Sequence, residues 1–383
     1  MDIEQNRWIE SEGWETGGAD FQGELGSSAQ LVLVFGGTSA LQNSAVLDAI
    51  YKTYPQAEII GCSTAGEIFG VEVTDDTIVV TAIHFEHSSI QGTQTHIEKI
   101  DESYEAGKRL ANDLTHEGLK HIFVISDGLK VNGSELVRGL NDNLPNEVSI
   151  TGGLSGDGAR FAETYVFLND TPARDKIAVI GLYGDHLKVG YGSLGGWDPF
   201  GPERLITKSN ANVLYELDGK SALELYKDYL GEHAADLPAS ALLFPLAIRA
   251  SGSKKQQIVR TILAIDEDGQ GMVFAGDVPE GHYAQFMKAN FDRLVDGAVS
   301  AASTSQEALG STSAELAILI SCVGRKLVLK QRIEEEVEGV REVLGDKTIL
   351  SGFYSYGEIS PFSNNAECEL HNQTMTVTTI REE

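Results

Sequence analysis

The sequence is poor in cysteine and in positive charge. Among its 383 residues are three cysteines, Cys62, Cys322 and Cys368, which lie far apart and form no Cys-x-x-Cys pair. We therefore expect neither a disulfide framework nor a structural zinc site. Lysine and arginine number 29 against 57 acidic residues, a formal net charge of −28. Such a charge repels phosphate backbones and anionic lipid surfaces, which argues against binding to nucleic acid or to membranes.

Long apolar runs and common catalytic motifs are also missing. No run of 18 apolar residues occurs, and the N-terminus has no basic stretch followed by an apolar one, so a soluble, cytoplasmic protein is expected. There is no P-loop, no His-Glu-x-x-His and no His-x-His, and no metal site is predicted. Gly190–Gly195 matches Gly-x-Gly-x-x-Gly, but the following Gly-Trp-Asp-Pro cannot begin the helix that dinucleotide binding requires.

Three segments of the chain share one plan: an apolar strand, a helix, a second apolar strand, a glycine-rich turn that ends in an acid, and a later strand. Their first strands begin at 31, 121 and 316, and the turn glycine follows after about 30, 31 and 36 residues. Helices are predicted near 41–53, 134–144 and 330–344. Each segment is long enough for a right-handed βαβ unit, and three of them indicate an internal repeat.

This repeat predicts an α/β protein of two domains, with mixed sheets built from repeated βαβ units and helices packed on the sheets. We expect a loose N-terminal leader over 1–28, a first domain over 29–215 and a second over 216–383. The boundary is placed shortly after the glycine- and proline-rich stretch 184–207, in which Gly195–Pro202 is not expected to be regular structure. A strand is predicted over Ile258–Ile265 and a long helix over Ala284–Ala302.

The three turns are the main candidates for a binding site. Each follows the carboxyl end of a strand, where open α/β sheets form ligand crevices. Hydroxyls and carboxylates there suit a small polar molecule with an amine, and the alternative is that the acids cap the loops. The candidate residues of the turns and the neighbouring strand end are Ser63, Thr64, Glu67, Asp127, Ser155, Asp157, Tyr354, Tyr356 and Glu358.

Four further residues have both a functional and a structural interpretation. Cys62 is a candidate nucleophile or a small buried side chain that fills a tight turn. Arg325 follows a buried strand and either clamps a ligand carboxylate or is a surface charge. His371 and Asn372 precede the last strand and either orient a ligand or satisfy the loop backbone. The sequence alone leaves these alternatives open.

Several of these segments carry a resemblance to a known family. Ile60–Glu67 resembles the signature of the FIST N-terminal domain, and Tyr226–Gly231, Ser321–Arg325, Tyr356–Ile359 and Glu369–Thr376 resemble the FIST C-terminal domain. The resemblance covers about residues 29–380. It implies a sensory protein of bacterial signal transduction that binds a small ligand such as an amino acid. Since the sequence leaves no room for an output domain, it is expected to act in trans on a signalling partner such as a histidine kinase or a cyclic-di-GMP enzyme.

A stand-alone branch of this family implies a second hypothesis, a b-type haem-binding sensor of nitric oxide that regulates such a partner. Covalent c-type haem is excluded because Cys-x-x-Cys-His is absent, and His233 is the candidate axial ligand. A third hypothesis is a cofactorless enzyme that uses Cys62. The resemblance supplies no catalytic residues, so a non-enzymatic sensor is the main prediction.

Overall fold

The computed structural model describes residues 1–383 except 16–20, 22, 238, 253–256 and 363–365. The strands, in chain order, are β1 (Asp2–Ile9), β2 (Gly13–Trp14), β3 (Leu31–Gly36), β4 (Glu58–Ser63), β5 (Glu67–Phe69), β6 (Glu72–Thr74), β7 (Ile78–His84), β8 (Ser89–His96), β9 (Leu119–Ser126), β10 (Ser149–Leu154), β11 (Val166–Leu168), β12 (Lys176–Tyr183), β13 (Leu187–Leu194), β14 (Asp198–Asn210), β15 (Val213–Leu217), β16 (Lys220–Ser221), β17 (Leu246–Arg249), β18 (Ile258–Arg260), β19 (Ile262–Asp266), β20 (Gly271–Phe274), β21 (Tyr283–Lys288), β22 (Leu316–Cys322), β23 (Ile349–Ser355), β24 (Gly357–Pro361), β25 (Cys368–His371) and β26 (Met375–Glu382).

The α-helices are α1 (Thr38–Leu41), α2 (Ser44–Thr53), α3 (Ser103–Asp113), α4 (Gly133–Asn141), α5 (Ala222–Leu230), α6 (Phe291–Ala308), α7 (Val323–Leu329) and α8 (Ile333–Leu344). Short 3₁₀ helices cover Gly26–Ser28, Ile100–Glu102, Gly231–Asp236, Ala239–Leu243 and Lys330–Arg332. The predicted α/β class with mixed sheets is confirmed. In the described part of the chain, no helix combines the length and the hydrophobicity that crossing a membrane requires.

Three six-stranded sheets repeat one plan. The strand orders are β11-β4-β3-β7-β1-β2 in sheet 1, β25-β24-β10-β9-β12-β8 in sheet 2 and β13-β26-β22-β23-β5-β6 in sheet 3. In each sheet the first two strands of a repeat run parallel, as β3 and β4 do, and the third strand pairs antiparallel beside the first. The structure therefore has the three βαβ units that the spacing predicted.

The strand after each predicted turn leaves the sheet of its own repeat. β5 follows β4 of sheet 1 and pairs with β23 of sheet 3. In the same way, β24 follows β23 and pairs with β10 of sheet 2, and β11 follows β10 and pairs with β4 of sheet 1. The three sheets thus exchange strands in a closed cycle, which ties the two halves of the chain together.

The central strands are buried on both faces, as their continuous apolar sequences predict. In β3, Leu33 and Phe35 belong to a hydrophobic cluster that also contains Ile125 of β9 and Ile320 of β22. The intervening Val34 faces a separate cluster with α2. The shared cluster lies among the three sheets, and the helices cover the outer faces.

The N-terminal segment is not the loose leader that was expected. β1 pairs antiparallel with β7 from Asp2 to Trp8, and Trp8 and Trp14 are buried against α2 and its sheet. Burial of the two indole rings and the β1–β7 ladder give the physical reason for this order. Part of the expected leader, at 16–20 and 22, lies outside the described residues.

Three further local predictions need correction. The segment Gly195–Pro202 was not expected to be regular structure, but its residues from Asp198 onward begin strand β14. The pairing of β14 with β21 becomes irregular between Phe200 and Arg204. The helix expected over Ala284–Ala302 is instead strand β21 followed by α6, which begins after Asn290, whose side chain accepts a hydrogen bond from the Arg293 N–H. The strand expected over Ile258–Ile265 is interrupted at Thr261 into β18 and β19. These elements belong to the fourth sheet, ordered β18-β17-β21-β14-β15-β20-β19 with β16 beside β15.

Candidate functional site

Glu67 and Glu358 occupy equivalent positions in two repeats. The fully buried Glu67 carboxylate accepts hydrogen bonds from the Thr64 hydroxyl and from the Thr77 N–H and hydroxyl, at 3.0 and 2.8 Å for Thr77. Glu358 likewise accepts from the Ser355 hydroxyl at 2.7 Å and from the Thr374 N–H and hydroxyl at 3.1 and 2.9 Å. Each acid therefore joins its own turn to the threonine just before the third strand of its repeat, β7 or β26.

Burial shifts both acids toward the protonated form. Removal from water raises the pKa of Glu67 to about 7 and that of Glu358 to about 8, although the hydroxyl and N–H donors act in the opposite direction. Both carboxyl groups are used inside the protein, and their predicted role in ligand binding stays a prediction.

The aspartates of the second repeat also bind backbone. Asp127 accepts from the N–H groups of Leu129 and Lys130 at 2.9 and 2.7 Å, and from the Thr164 hydroxyl at 2.8 Å. Asp157 accepts from the N–H groups of residues 161–163 and from the Tyr356 hydroxyl. These bonds order the two loops beside the ends of β9 and β10. Tyr356 thereby links a loop of the first half of the chain to a turn of the second.

Arg325 is buried within an internal network, which neither sequence interpretation anticipated. Its guanidinium bonds to Glu336 at 2.6 and 3.0 Å and to the carbonyl oxygens of Gly195 and Leu294 at 2.6 and 2.7 Å. Both side chains of this ion pair are fully buried. Glu336 also accepts from the hydroxyls of Ser321 and Tyr354, at 3.0 and 2.6 Å. The network fixes α7 and α8 to the sheet.

Cys62, Ser63 and Ser155 lie in strand ends or turns without exposure to solvent. Cys62 pairs with Val166 in the β4–β11 ladder, and burial raises the pKa of its thiol far above the usual range. The Ser63 hydroxyl accepts from the Tyr165 N–H at 2.8 Å, and the Ser155 hydroxyl donates to the Ser126 carbonyl oxygen at 2.9 Å. A buried, protonated thiol is a poor nucleophile, because the thiolate is the reactive form.

The segment before β26 contains an unusual pair of side chains. His371 is buried and its Nε2 lies 2.8 Å from the Ser360 carbonyl oxygen, and burial lowers its pKa to about 4. The neighbouring Asn372 and Gln373 are 1% and 0% exposed, yet none of their four amide atoms has a hydrogen-bond partner in the described part of the chain. Unpaired buried amides are costly and indicate bound water or ligand. Asn372 was among the candidate residues predicted from the sequence, and Gln373 was not.

His233 does not provide a haem site. It lies exposed in the 3₁₀ helix Gly231–Asp236, with its ring 5.4 Å from that of Phe244, and it lines none of the three described cavities. An axial haem ligand needs an enclosed pocket that holds the macrocycle against it. The residues present around His233 therefore do not fit a b-type haem.

A cavity of about 390 Å³ opens between the two halves of the chain. One wall is α4, with Ser134, Arg138 and Asn141, and the other walls are β17, β18 and β25. None of the candidate residues selected from the sequence lines it, although Leu370 of its lining is the neighbour of His371 in β25. Pockets of this size bind small molecules when a few polar groups fix the ligand's orientation.

Arg260 of β18 is the outstanding polar group of this cavity. It is 5% exposed and donates to two carbonyl oxygens, that of Leu370 at 2.8 Å and that of Asp277 at 3.2 Å. Across the described ranges its guanidinium forms no ion pair within 4.0 Å, although Glu369 and Asp277 lie near enough to favour its charged form. Burial lowers the pKa of Arg260 to about 10, which leaves the group cationic near neutral pH. A buried arginine without a carboxylate has donors available for an anionic ligand group.

Glu369 of β25 lines the same cavity. Burial raises the pKa of its carboxyl group, and Arg260 acts in the opposite direction. Within the residues that the structure describes, no donor bonds to this carboxylate. Among the charged residues that line the cavity, Arg260 and Glu369 therefore attract each other without forming an ion pair within 4.0 Å in the described part of the chain. Sequence reasoning missed Arg260, although a lone arginine inside an otherwise apolar strand was a signal.

Comparisons with known proteins extend these observations. The model of the FIST N domain matches residues 30–220, and that of the FIST C domain matches residues 222–361. An uncharacterized protein of Methanocaldococcus jannaschii is 24% identical over 356 residues, which cover 84% of this chain but 65% of the relative. The chain thus spans slightly less than two thirds of that relative's length. The crystal structure of a cyanuric acid hydrolase from A. caulinodans aligns with 77% of this chain and with 99% of the hydrolase chain, at 10% sequence identity. The TM-score of this alignment is 0.19, which is too low for conclusions about fold or activity.

Proposed function

The chain belongs to the FIST family, whose domains are small-ligand sensors of signal transduction, and from this we propose that it senses a zwitterionic molecule such as an amino acid in the Arg260 cavity. The observation that carries the proposal is the presence in one cavity of the Arg260 guanidinium and the Glu369 carboxylate, which form no ion pair with each other among the described residues. A guanidinium fork holds a carboxylate through two parallel hydrogen bonds, and a carboxylate holds an ammonium group. A zwitterion supplies both partners.

The position of the cavity supports a role in signalling. α4 comes from the first half of the chain, and β17, β18 and β25 come from the second. A ligand that bridges them stabilises one relative arrangement of these elements, and differential affinity for two arrangements is what a sensor requires. We propose that the bound form acts on a partner signalling protein, such as a histidine kinase or a cyclic-di-GMP enzyme, in the cytoplasm.

The alternatives from the sequence receive less support. A haem sensor through His233 lacks an enclosing pocket, and an enzyme through Cys62 lacks an accessible thiol. The absorbance spectrum near 400 nm after haem addition tests the first of these. A Soret band that survives His233→Ala would indicate a haem site elsewhere in the protein.

Isothermal titration calorimetry with the common amino acids tests the proposal. We expect at least one to bind, and Arg260→Gln to weaken it about 10- to 100-fold, since hydrogen bonds to charged groups contribute roughly 1.5–3 kcal/mol. Arg260→Lys retains the charge without the fork and should be intermediate. The matched control is Arg174→Gln, which removes an exposed arginine that does not line the cavity.

Thermal unfolding of each variant separates lost binding from lost folding, because Arg260 also supports two backbone carbonyls. Unchanged affinity in a folded Arg260→Gln variant would place the ligand elsewhere. The four amide atoms of Asn372 and Gln373 would then be the next candidates.

A further inference from the structure

The Arg260 cavity continues into two others. A second cavity of about 530 Å³ shares Asn141, Asp142, Glu367 and Cys368 with the first. A third cavity of about 310 Å³ shares Glu147, Ser149 and Tyr191 with the second. Shared lining residues mean that the cavities adjoin. They lie side by side along one stretch of the surface from Arg260 to Lys120, here called the long groove.

The strand order of sheet 2 gives the length of the long groove. Its lining includes ends of four consecutive strands, at Cys368 of β25, Pro361 of β24, Ser149 of β10 and Lys120 of β9. Neighbouring strands lie about 4.8 Å apart, so three steps span roughly 14 Å. An extended peptide advances about 3.3 Å per residue, so this span corresponds to about four residues. A single amino acid fills only the first cavity.

The chemistry of the walls fits a peptide more closely than an apolar molecule. The exposed Asn146 amide lines the groove, where it can meet peptide N–H and carbonyl groups. Asn141 and Ser149 add an amide oxygen and a hydroxyl beside their own bonds to the Cys368 carbonyl oxygen and to His121. Glu147 and Glu367 add negative charge. Lys120, at the far end, is paired with Asp185 at 2.8 Å. Basic or neutral side chains are therefore favoured in the occupant.

We propose that the long groove binds an extended oligopeptide of about four or five residues, with its C-terminal carboxylate on Arg260 and its body crossing the strand ends toward Lys120. The proposal rests on the proposed function, because it assigns the ligand class of the same site. The free amino acid is then the minimal ligand. In the peptide the α-nitrogen of the C-terminal residue is an amide, so the ammonium group of a C-terminal lysine side chain takes its place at Glu369, and the chain beyond it contributes the remaining contacts. Basic side chains face Glu367 and Glu147.

Calorimetry with a series of probes tests this assignment. The probes are lysine, Ala-Lys, Ala-Ala-Lys and Lys-Ala-Ala-Ala-Lys, the last also with an amidated C-terminus. We expect affinity to rise at least tenfold from lysine to the pentapeptide. Amidation should weaken the pentapeptide about 10- to 100-fold, because it removes the carboxylate that Arg260 holds.

A groove variant separates the peptide body from the first cavity. Glu147→Lys changes an exposed residue of the second and third cavities that does not line the first. It should weaken the pentapeptide at least tenfold and leave lysine binding unchanged. Glu117→Lys, at an exposed position that lines none of the three cavities, makes the same charge change and should affect neither probe.

The outcomes distinguish this inference from the proposed function. If lysine binds and the pentapeptide binds no tighter, the peptide assignment is wrong and the sensor proposal stands. If the pentapeptide binds tighter but neither amidation nor Glu147→Lys matters, its placement in the long groove is wrong. If no probe and no other amino acid binds the wild-type protein, the proposed function itself fails.

Discussion

At the level of single residues, the buried acids of the glycine-rich turns are hydrogen-bonded by donors of the protein itself. A buried carboxylate needs N–H donors, a cation or a ligand. For Glu67 and Glu358 the protein itself supplies three donors each, from one threonine or serine of the turn and from the threonine that immediately precedes β7 or β26. The two sets match residue for residue, which is what equivalent positions in a repeat predict.

The raised pKa values of these acids predict a pH dependence of stability. In the unfolded chain both carboxyls ionise near pH 4.5, while in the folded protein they stay protonated up to about pH 7 for Glu67 and about pH 8 for Glu358. Their contribution is therefore complete below pH 4.5 and is lost as the pH rises through 7 and 8. Between pH 5 and pH 9 the free energy of unfolding of the double variant Glu67→Gln/Glu358→Gln should therefore fall less than that of the wild type. We expect the two declines to differ by several kcal/mol.

Urea unfolding at pH 5, 7 and 9 measures this difference. The control is Glu117→Gln, an exposed carboxylate whose loss should leave the wild-type slope intact. An equal decline with pH in the double variant and in the wild type would mean that both acids are ionised in the folded protein.

At the scale of elements, α7 and α8 are held by a buried charge rather than by apolar contacts alone. Glu336 lies on the inner face of α8 with Val337 and Val340, where its carboxylate meets Arg325 of α7 and Tyr354 of β23. The pattern of α8 contained this signal, since Glu336 falls one helical turn before the buried Val340. The sequence did not reveal which cation would pair with it.

The ion pair predicts a strong asymmetry between two substitutions. Glu336→Gln leaves the Arg325 guanidinium buried without its counter-charge, and this should cost about 3–5 kcal/mol of unfolding free energy. Glu335→Gln, at the neighbouring position, removes one of the two exposed partners of Arg332 and should leave the free energy of unfolding nearly unchanged. Denaturant unfolding with circular dichroism compares the two variants. Similar small losses would mean that water reaches the Arg325 network.

At the scale of the whole molecule, the exchanged strands decide how the two halves relate. β5 of the first half lies in sheet 3, and β24 of the second half lies in sheet 2. β13, before the expected boundary, pairs along its length with β26 near the C-terminus. The boundary between 215 and 216 stays a prediction, but a cut there separates strands that share a sheet.

This arrangement predicts that the halves do not fold alone. Fragments 1–215 and 216–383 expressed separately should lack a cooperative thermal transition, because each would leave open strand edges and exposed core. The full chain should unfold in one transition seen equally by near- and far-ultraviolet circular dichroism. Mixing the fragments should restore part of the structure. A sharp, independent transition in either fragment would show that its sheets are complete without the other.

The repeated βαβ units, the buried central strands and the α/β class could be predicted from the amino-acid sequence, because burial and helix formation leave local periodic patterns. The sheet that each strand joins, the acids that have internal donors and the position of the cavity could not be predicted, and they follow from how the folded chain packs. Arg260 and Leu370, which meet at the cavity, lie 110 positions apart. Such contacts depend on the packing of distant segments, and no local pattern in the chain encodes them. The same reason applies to the N-terminal strand β1. Its glycine- and glutamate-rich surroundings predicted a loose segment, but it pairs with the distant strand β7.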